Sequence, residues 1–214
     1  PTVAAPPPPD QAATGAREIA ARCNDLASLR EALASFEGCS LKHTATNLVF
    51  ADGNPSAPVM FIGEAPGADE DRLGRPFVGA AGQLLDRMLA AAGMDRSGVY
   101  ITNILPWRPP GNRTPTPNEV TICLPFLRRH IQLVAPKLLV MVGGTSASTL
   151  LGTSDGITRI RGRWHLYRGD PENPSAPIPA MPLYHTAYLL RTPARKKEAW
   201  RDLLEVRRRL REGS

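Results

Sequence analysis

The amino-acid sequence predicts an α/β fold, a three-layer αβα sandwich around a central four-stranded parallel sheet. Three observations carry this. The apolar runs 59–62 and 138–142 are unbroken, the composition of strands buried on both faces of a parallel sheet. Runs like these are followed by a polar stretch rich in glycine or proline and then by a helix-period segment. The order is therefore β-loop-α, β-loop-α, βα, β-loop-α, and right-handed crossovers place helices on both faces of one sheet.

Along the chain, residues 1–16 are Pro/Ala-rich, with neither the basic start nor the apolar stretch of a secretory signal. They are expected to form a disordered or extended lead-in to a single domain over 17–214, with Pro6 to Pro9 favouring polyproline II. Apolar positions at Ile19, Leu26, Leu29, Leu33 and Phe36 predict one or two short helices. Asp52-Gly53-Asn54-Pro55 is a turn sequence. The first clear strand, 59–62, leads into a long loop with Glu64, Asp69, Glu70, Asp71, Phe77 and four glycines. A plain strand-to-helix connection needs about 2–6 residues, so this loop reads as a binding loop. The helix after it places Leu84, Leu85, Met88, Leu89 and Ala92 on one face and stops at Gly93.

The second strand, 99–102, delivers Asn103 at its carboxyl end. Five prolines between 106 and 117 predict a non-helical loop carrying Arg108 and Arg113, and 119–134 reads as a helix closed off by Pro136. After the third strand, Gly143-Gly144-Thr145-Ser146 opens a helix; such a turn can cradle a phosphate, and a tight strand-to-helix connection needs the same glycines. Short strands are expected at 164–167 and 181–184, the latter delivering His185, and a last helix buries Trp200, Leu203, Leu204 and Leu210.

At 214 residues the chain can bury a sizeable core, and it has no apolar run of the ~18 residues that a membrane span requires. The odd cysteine count, Cys23, Cys39 and Cys123, suits a reducing cytoplasm better than a disulfide framework. Of the net charge of +6, the segment 191–214 carries +5, from nine Lys/Arg and four Asp/Glu. That is the footprint of a phosphate-polymer partner or of a solvated helix face.

In an open α/β sheet, ligands bind beyond the carboxyl ends of the strands. There this chain presents Glu64, Glu70 and Phe77, then Asn103, Gly143-Gly144 and His185. A carboxamide pairs with one edge of a planar heterocycle and an aromatic ring stacks on its face. A histidine donates to an oxygen gaining charge, and a glutamate positions or deprotonates water. These are parts for cutting a bond to a nucleobase. No Walker lysine follows Gly67, no Gly-x-Ser-x-Gly surrounds Ser146, and the four histidines lack zinc-ligand spacing.

The motifs Gly63-Glu64-Ala65-Pro66-Gly67 through Leu85, Tyr100-Ile101-Thr102-Asn103, Arg108-Pro109-Pro110-Gly111-Asn112-Arg113 and His185-Thr186-Ala187-Tyr188-Leu189-Leu190-Arg191 resemble those of the family 4 uracil-DNA glycosylases, in family order from about Cys39 to Leu204. The resemblance implies hydrolytic removal of uracil from DNA. It assigns Glu64 and Glu70 to positioning or activating water, and His185 to the departing uracilate oxygen. Phe77 stacks on flipped uracil and Asn103 reads its edge, with Gly63 and Ala65 in the uracil site. Tyr188, Leu189, Leu190 and Arg191 match the loop that enters the minor groove. Arg108, Arg113, Gly144, Thr145 and Thr186 are the remaining candidate DNA contacts; the two arginines read equally as solvated charges.

The family binds a four-iron four-sulfur cluster through four cysteines. Cys39 and Cys123 match two of them, while Phe36 and Trp107 stand at the other two positions. Two thiolates fall short of Cys₄ ligation, so the sequence predicts no iron-sulfur cluster and no other metal. Thr186-Ala187 replaces the family's Pro-Ser after the motif histidine, and no histidine follows in the 109–113 loop for covalent trapping of DNA. The chain is thus expected to be a monofunctional, monomeric, cytoplasmic uracil-DNA glycosylase, acting on uracil-containing DNA and releasing free uracil. The alternatives are a glycosylase for xanthine or hypoxanthine and a non-catalytic binder of abasic or damaged DNA.

Overall fold

A computed structural model of the chain describes residues 7–171 and 173–212. In chain order the elements are α1 (Pro9–Arg22), α2 (Leu26–Ser35), α3 (Leu41–Thr44), β1 (Asp52–Gly53), β2 (Val59–Gly63), α4 (Ala68–Leu73), α5 (Ala80–Ala91), β3 (Tyr100–Asn103), α6 (Pro117–Val134), β4 (Leu138–Val142), α7 (Gly144–Leu151), α8 (Ile157–Ile160), β5 (His165–Asp170), β6 (Asn173–Leu183), α9 (Thr186–Arg191) and α10 (Lys196–Glu212). The strands form one sheet in the order β1-β3-β2-β4-β6-β5. The inner four are parallel, while β1 pairs antiparallel with β3 and β5 with β6. The α/β class and the parallel core match the sequence reading. Its four-stranded sheet is corrected to six strands among the described residues, mixed at both edges.

Alternation along the buried strands makes the three layers. Met60, Ile62, Tyr100, Leu139 and Met141 face one side, in a core shared with α1, α2, α6 and α7. Val59, Phe61, Ile101, Val140 and Val142 face the other, against Leu85 and Leu89 of α5 and Leu203 and Val206 of α10. Among the described residues no helix is long and apolar enough to cross a membrane.

Two departures have local causes. The lead-in expected to be disordered through Ala16 is helical from Pro9, whereas residues 1–6 lie outside the described residues. Pro9 occupies the first turn, where a missing N–H costs nothing. Ala12, Ala16 and Ala20 then form a buried i, i+4, i+8 stripe in the core that α6 shares. Arg129 of α6 ties down the end of α1 by donating from Nε and Nη2 to the Cys23 carbonyl at 2.9 and 2.7 Å. At the other edge, β6 starts eight residues before the expected 181, because Pro174, Pro177 and Pro179 resemble a loop. They are tolerated in this stretch, which pairs with β5 near the sheet edge.

His130 of α6 lies within the core, its Nε2 2.8 Å from the Tyr100 hydroxyl and its ring stacked on Phe50 at 4.4 Å. Burial lowers its pKa to about 3. Below the ordinary histidine value of 6.5, the unfolded chain takes up a proton that the folded chain refuses, so stability is full above about pH 6.5 and falls as pH drops toward 3. At pH 4.5 the loss from this one group is on the order of 2 kcal/mol. Thermal unfolding midpoints are expected to decline over pH 6.5–4.5 and to decline less in His130→Gln, which leaves Tyr100 a partner that does not titrate. Parallel slopes for the two proteins would refute this.

Candidate active site

Beyond the carboxyl ends of the parallel strands lies a cavity of about 530 Å³, walled by Glu64, Phe77, Asn103, Gly143 and His185. The acidic loop that follows β2 contains α4 and is shaped by Glu70. Its Oε1 accepts from the N–H groups of Val78 and Gly79 at 2.8 and 2.7 Å, and its Oε2 from Gly67 at 3.1 Å. Both oxygens of Glu70 are therefore committed to backbone. Glu64, one residue past β2, faces the same cavity, and among the described residues no hydrogen bond engages its carboxylate.

Phe77 is buried and has φ +54°, the left-handed region that costs a residue with a Cβ about 1–3 kcal/mol. This conformation turns its ring over Gly63, where a Cβ would stand 2.6 Å from the ring and collide with Asn103 Oδ1. Gly63 is thus less a wall of the site than the space into which Phe77 and Asn103 converge. A Cβ at Gly82 would overlap the Phe77 carbonyl, so α5 supports the turn at close range.

Asn103 ends β3. Backbone bonds continue past it, Ile104 N–H to Gly63 O and Leu105 N–H to Glu64 O, both 3.0 Å, fixing the side chain at the cavity wall. Its Oδ1 is buried without a hydrogen-bond partner. An orphaned buried acceptor is uncommon and calls for a reason.

His185 caps α9, its Nδ1 accepting the Ala187 N–H at 3.1 Å. In the neutral ring the proton then sits on Nε2, free to be donated. Its pKa falls to about 4 through burial first and the charge of Arg191 second, with Glu70 pulling the other way. The ring lies 5.8 Å from that of Phe77 at 27°. Gly143, at φ +99°, lets β4 approach; a Cβ there would be 3.1 Å from that of His185. An aromatic face, a carboxamide edge and a neutral imidazole donor are thereby gathered in one pocket.

A profile of the uracil DNA glycosylase superfamily matches residues 50–204, the segment that contains all of these groups. The chain belongs to this superfamily. It is similar to Type-4 uracil-DNA glycosylases: that of Sulfurisphaera tokodaii at 37% identity (86% of this chain, 84% of the relative), of Archaeoglobus fulgidus at 40% (78% and 84%) and of Thermotoga maritima at 40% (78% and 83%).

This membership corrects the expectation of a cluster-free protein. The matching relatives are Type-4 enzymes over most of their length, and the Type-4 family implies an iron-sulfur cluster. Of the four thiols of a Cys₄ site, the residues present supply two. Cys39 and Cys123 are buried with their sulfurs 3.9 Å apart, and Phe36 and Trp107, which the resemblance sets at the other two positions, are buried as well. Among the described residues no group of three or more His, Cys, Asp or Glu is placed to hold a metal. This donor set does not fit four-thiolate ligation.

In this glycosylase-family chain the candidate DNA contacts divide. Gly144, Tyr188, Arg191 and Arg113 border the cavity, with Thr145 half-buried beside them. Arg113 is also held by Glu119 through two bonds of 2.9 and 2.6 Å, and Arg108 Nε donates to Asn112 at 2.6 Å. The segment expected to be a loop after His185 is the helix α9. Its i, i+3 pair Thr186 and Leu189 points inward, and both side chains are buried. Leu189 is fully buried in a cluster with Leu84, Tyr184 and Ala199, and the Thr186 hydroxyl is buried. Leu190 and Arg191 are exposed. The sequence reading missed Ala81, Asn112 and Thr114 in the cavity wall, since each belongs to a stretch of ordinary polar or small residues.

Proposed function

We propose that this chain hydrolyses the N-glycosidic bond of deoxyuridine in DNA, with uracil turned out of the duplex into the cavity, and that it leaves an abasic site without cutting the strand. The observation that carries this is the unpartnered, buried Asn103 Oδ1 beside Phe77 and a neutral His185. Asn103 accepts from uracil N3–H and donates its amide N–H to O4, a pattern cytosine does not offer. Phe77 stacks on the ring. As the glycosidic bond breaks, positive charge builds on the sugar and negative charge on uracil O2. His185 Nε2–H donates to that oxygen. Glu64 holds the attacking water and accepts its proton, while Glu70 keeps the loop in shape.

Arg191, Tyr188 and Arg113 at the rim receive the backbone, and exposed Leu190 fills the space the base vacates, offsetting the few kcal/mol that unstacking costs. No lysine borders the cavity among the described residues, which favours water over a Schiff-base nucleophile.

The test is single-turnover reaction on labelled oligonucleotides bearing one uracil, xanthine or hypoxanthine, with alkali to reveal abasic sites and borohydride to trap any imine. Uracil release without trapping is expected. Absence of release from uracil in every pairing would reject the proposal.

A further inference from the structure

The turn that carries Phe77 is gripped from two sides, and only one grip comes from the acidic loop. Glu70 takes the N–H groups of Val78 and Gly79. On the other side Arg96, five residues past the end of α5, lies under the carbonyls of the same turn. Its Nη1 donates to Pro76 O at 3.1 Å and its Nη2 to Phe77 O. The guanidinium is itself fixed, by Nη1 to Asp52 Oδ2 at 2.5 Å and Nε to Asp86 Oδ1 at 2.9 Å. Asp52 also receives Arg75 at 2.9 Å. This gives the two-residue strand β1 a role, since its pairing with β3 places Asp52 beneath Arg96. Gly53 makes the approach possible: at φ +90° it has no Cβ to meet the Arg96 carbonyl, which would lie 2.9 Å away.

We infer that Arg96 is a positioning residue for catalysis: without touching substrate, it holds Phe77 in its left-handed conformation so that the ring stays over the base site beside Asn103. The inference rests on the reading of the cavity as a uracil site. The planar fork of arginine spans two carbonyls and two carboxylates at once, which the single ammonium of lysine does not. A φ of +54° is maintained only where its surroundings over-determine it. Here Arg96, Glu70 and the Gly82 contact do so.

The experiment compares the parent, Arg96→Gln and Arg96→Lys, each with and without Phe77→Ala, by single-turnover uracil release and by thermal unfolding. Arg96→Gln is expected to slow release by about 10–100-fold, the usual cost of an ångström-scale misplacement. Arg96→Lys is expected to recover little of it. In the Phe77→Ala background the same change should cost less than about twofold, since residues acting through one contact are non-additive. Multiplying losses in the double variant, or full speed in Arg96→Gln or Arg96→Lys, would overturn the inference.

A second readout is independent of turnover. In 4-fluorophenylalanine-labelled protein, with five phenylalanines in the chain, the Phe77 resonance (assigned with Phe77→Leu) should shift or broaden in Arg96→Gln while the others hold. An unchanged Phe77 resonance overturns the inference even if the parent proves inactive, whereas a moved resonance in an inactive parent rejects only the uracil reading. If Arg96→Gln does not fold, Arg96→Lys carries both measurements.

Discussion

His185→Ala is expected to lower single-turnover uracil release by about 10²–10³-fold, the size of effect seen when one preorganised donor to a developing oxyanion is removed. The ring is held by the Ala187 N–H on Nδ1 and lies beside Phe77, so the Nε2 proton is positioned before the reaction starts and nothing has to reorganise as charge reaches the uracil oxygen. His185→Gln, which retains a donor, should recover part of the loss. The pH profile separates this role from that of a cationic acid. A protonated histidine acting at its ordinary pKa would lose activity as pH rises through 6.5. With the pKa lowered to about 4, the ring is neutral throughout that range, and the rate should be level across it. It should fall only as pH approaches 4, when a proton on Nδ1 would confront the Ala187 N–H and break the cap of α9. A rate that declines between pH 6 and 7.5 on going upward would rule out the neutral-donor role.

Asn103→Ala is expected to reduce kcat/KM for uracil-containing DNA by about 10²-fold, through the loss of two hydrogen bonds to the base at roughly 1–1.5 kcal/mol each. The same substitution should leave the protein as stable as the parent or more so. The buried Oδ1 has no hydrogen-bond partner, and relieving an unsatisfied acceptor recovers a desolvation cost of about 1–3 kcal/mol. Uracil should raise the unfolding temperature of the parent and not that of the variant, because a ligand stabilises only the state that binds it. Loss of stability with unchanged turnover would mean that Asn103 serves the loop and not the substrate.

Much of this site was legible in the sequence because its parts sit at strand ends. Unbroken apolar runs at 59–62 and 138–142 mark buried parallel strands, and Asn103 ends β3 while His185 stands two residues past β6 of the same sheet, so they reach a common rim. Other features were not legible. Alanines at 12 and 16 read as part of a disordered lead-in until α6 is there to cover them, and the prolines of β6 read as loop until β5 pairs with them. Leu189 and Leu190 are neighbours of one type, and only the packing of α9 on Leu84 and Tyr184 turns the first inward. Glu64 and Glu70 likewise look interchangeable, yet Glu70 spends both oxygens on three backbone N–H groups.

What the sequence by itself determined is the α/β class, the parallel core and the set of side chains that meet at its rim. Each of these depends on periodicity and on what immediately follows a strand. What only the tertiary structure decided is which members of that set are free to act and what holds them. Arg96 reaches Phe77 from nineteen positions away and is held there by Asp52, forty-four positions away. The roles of neighbouring, chemically similar residues depend on such distant partners, and those partners come together only on folding.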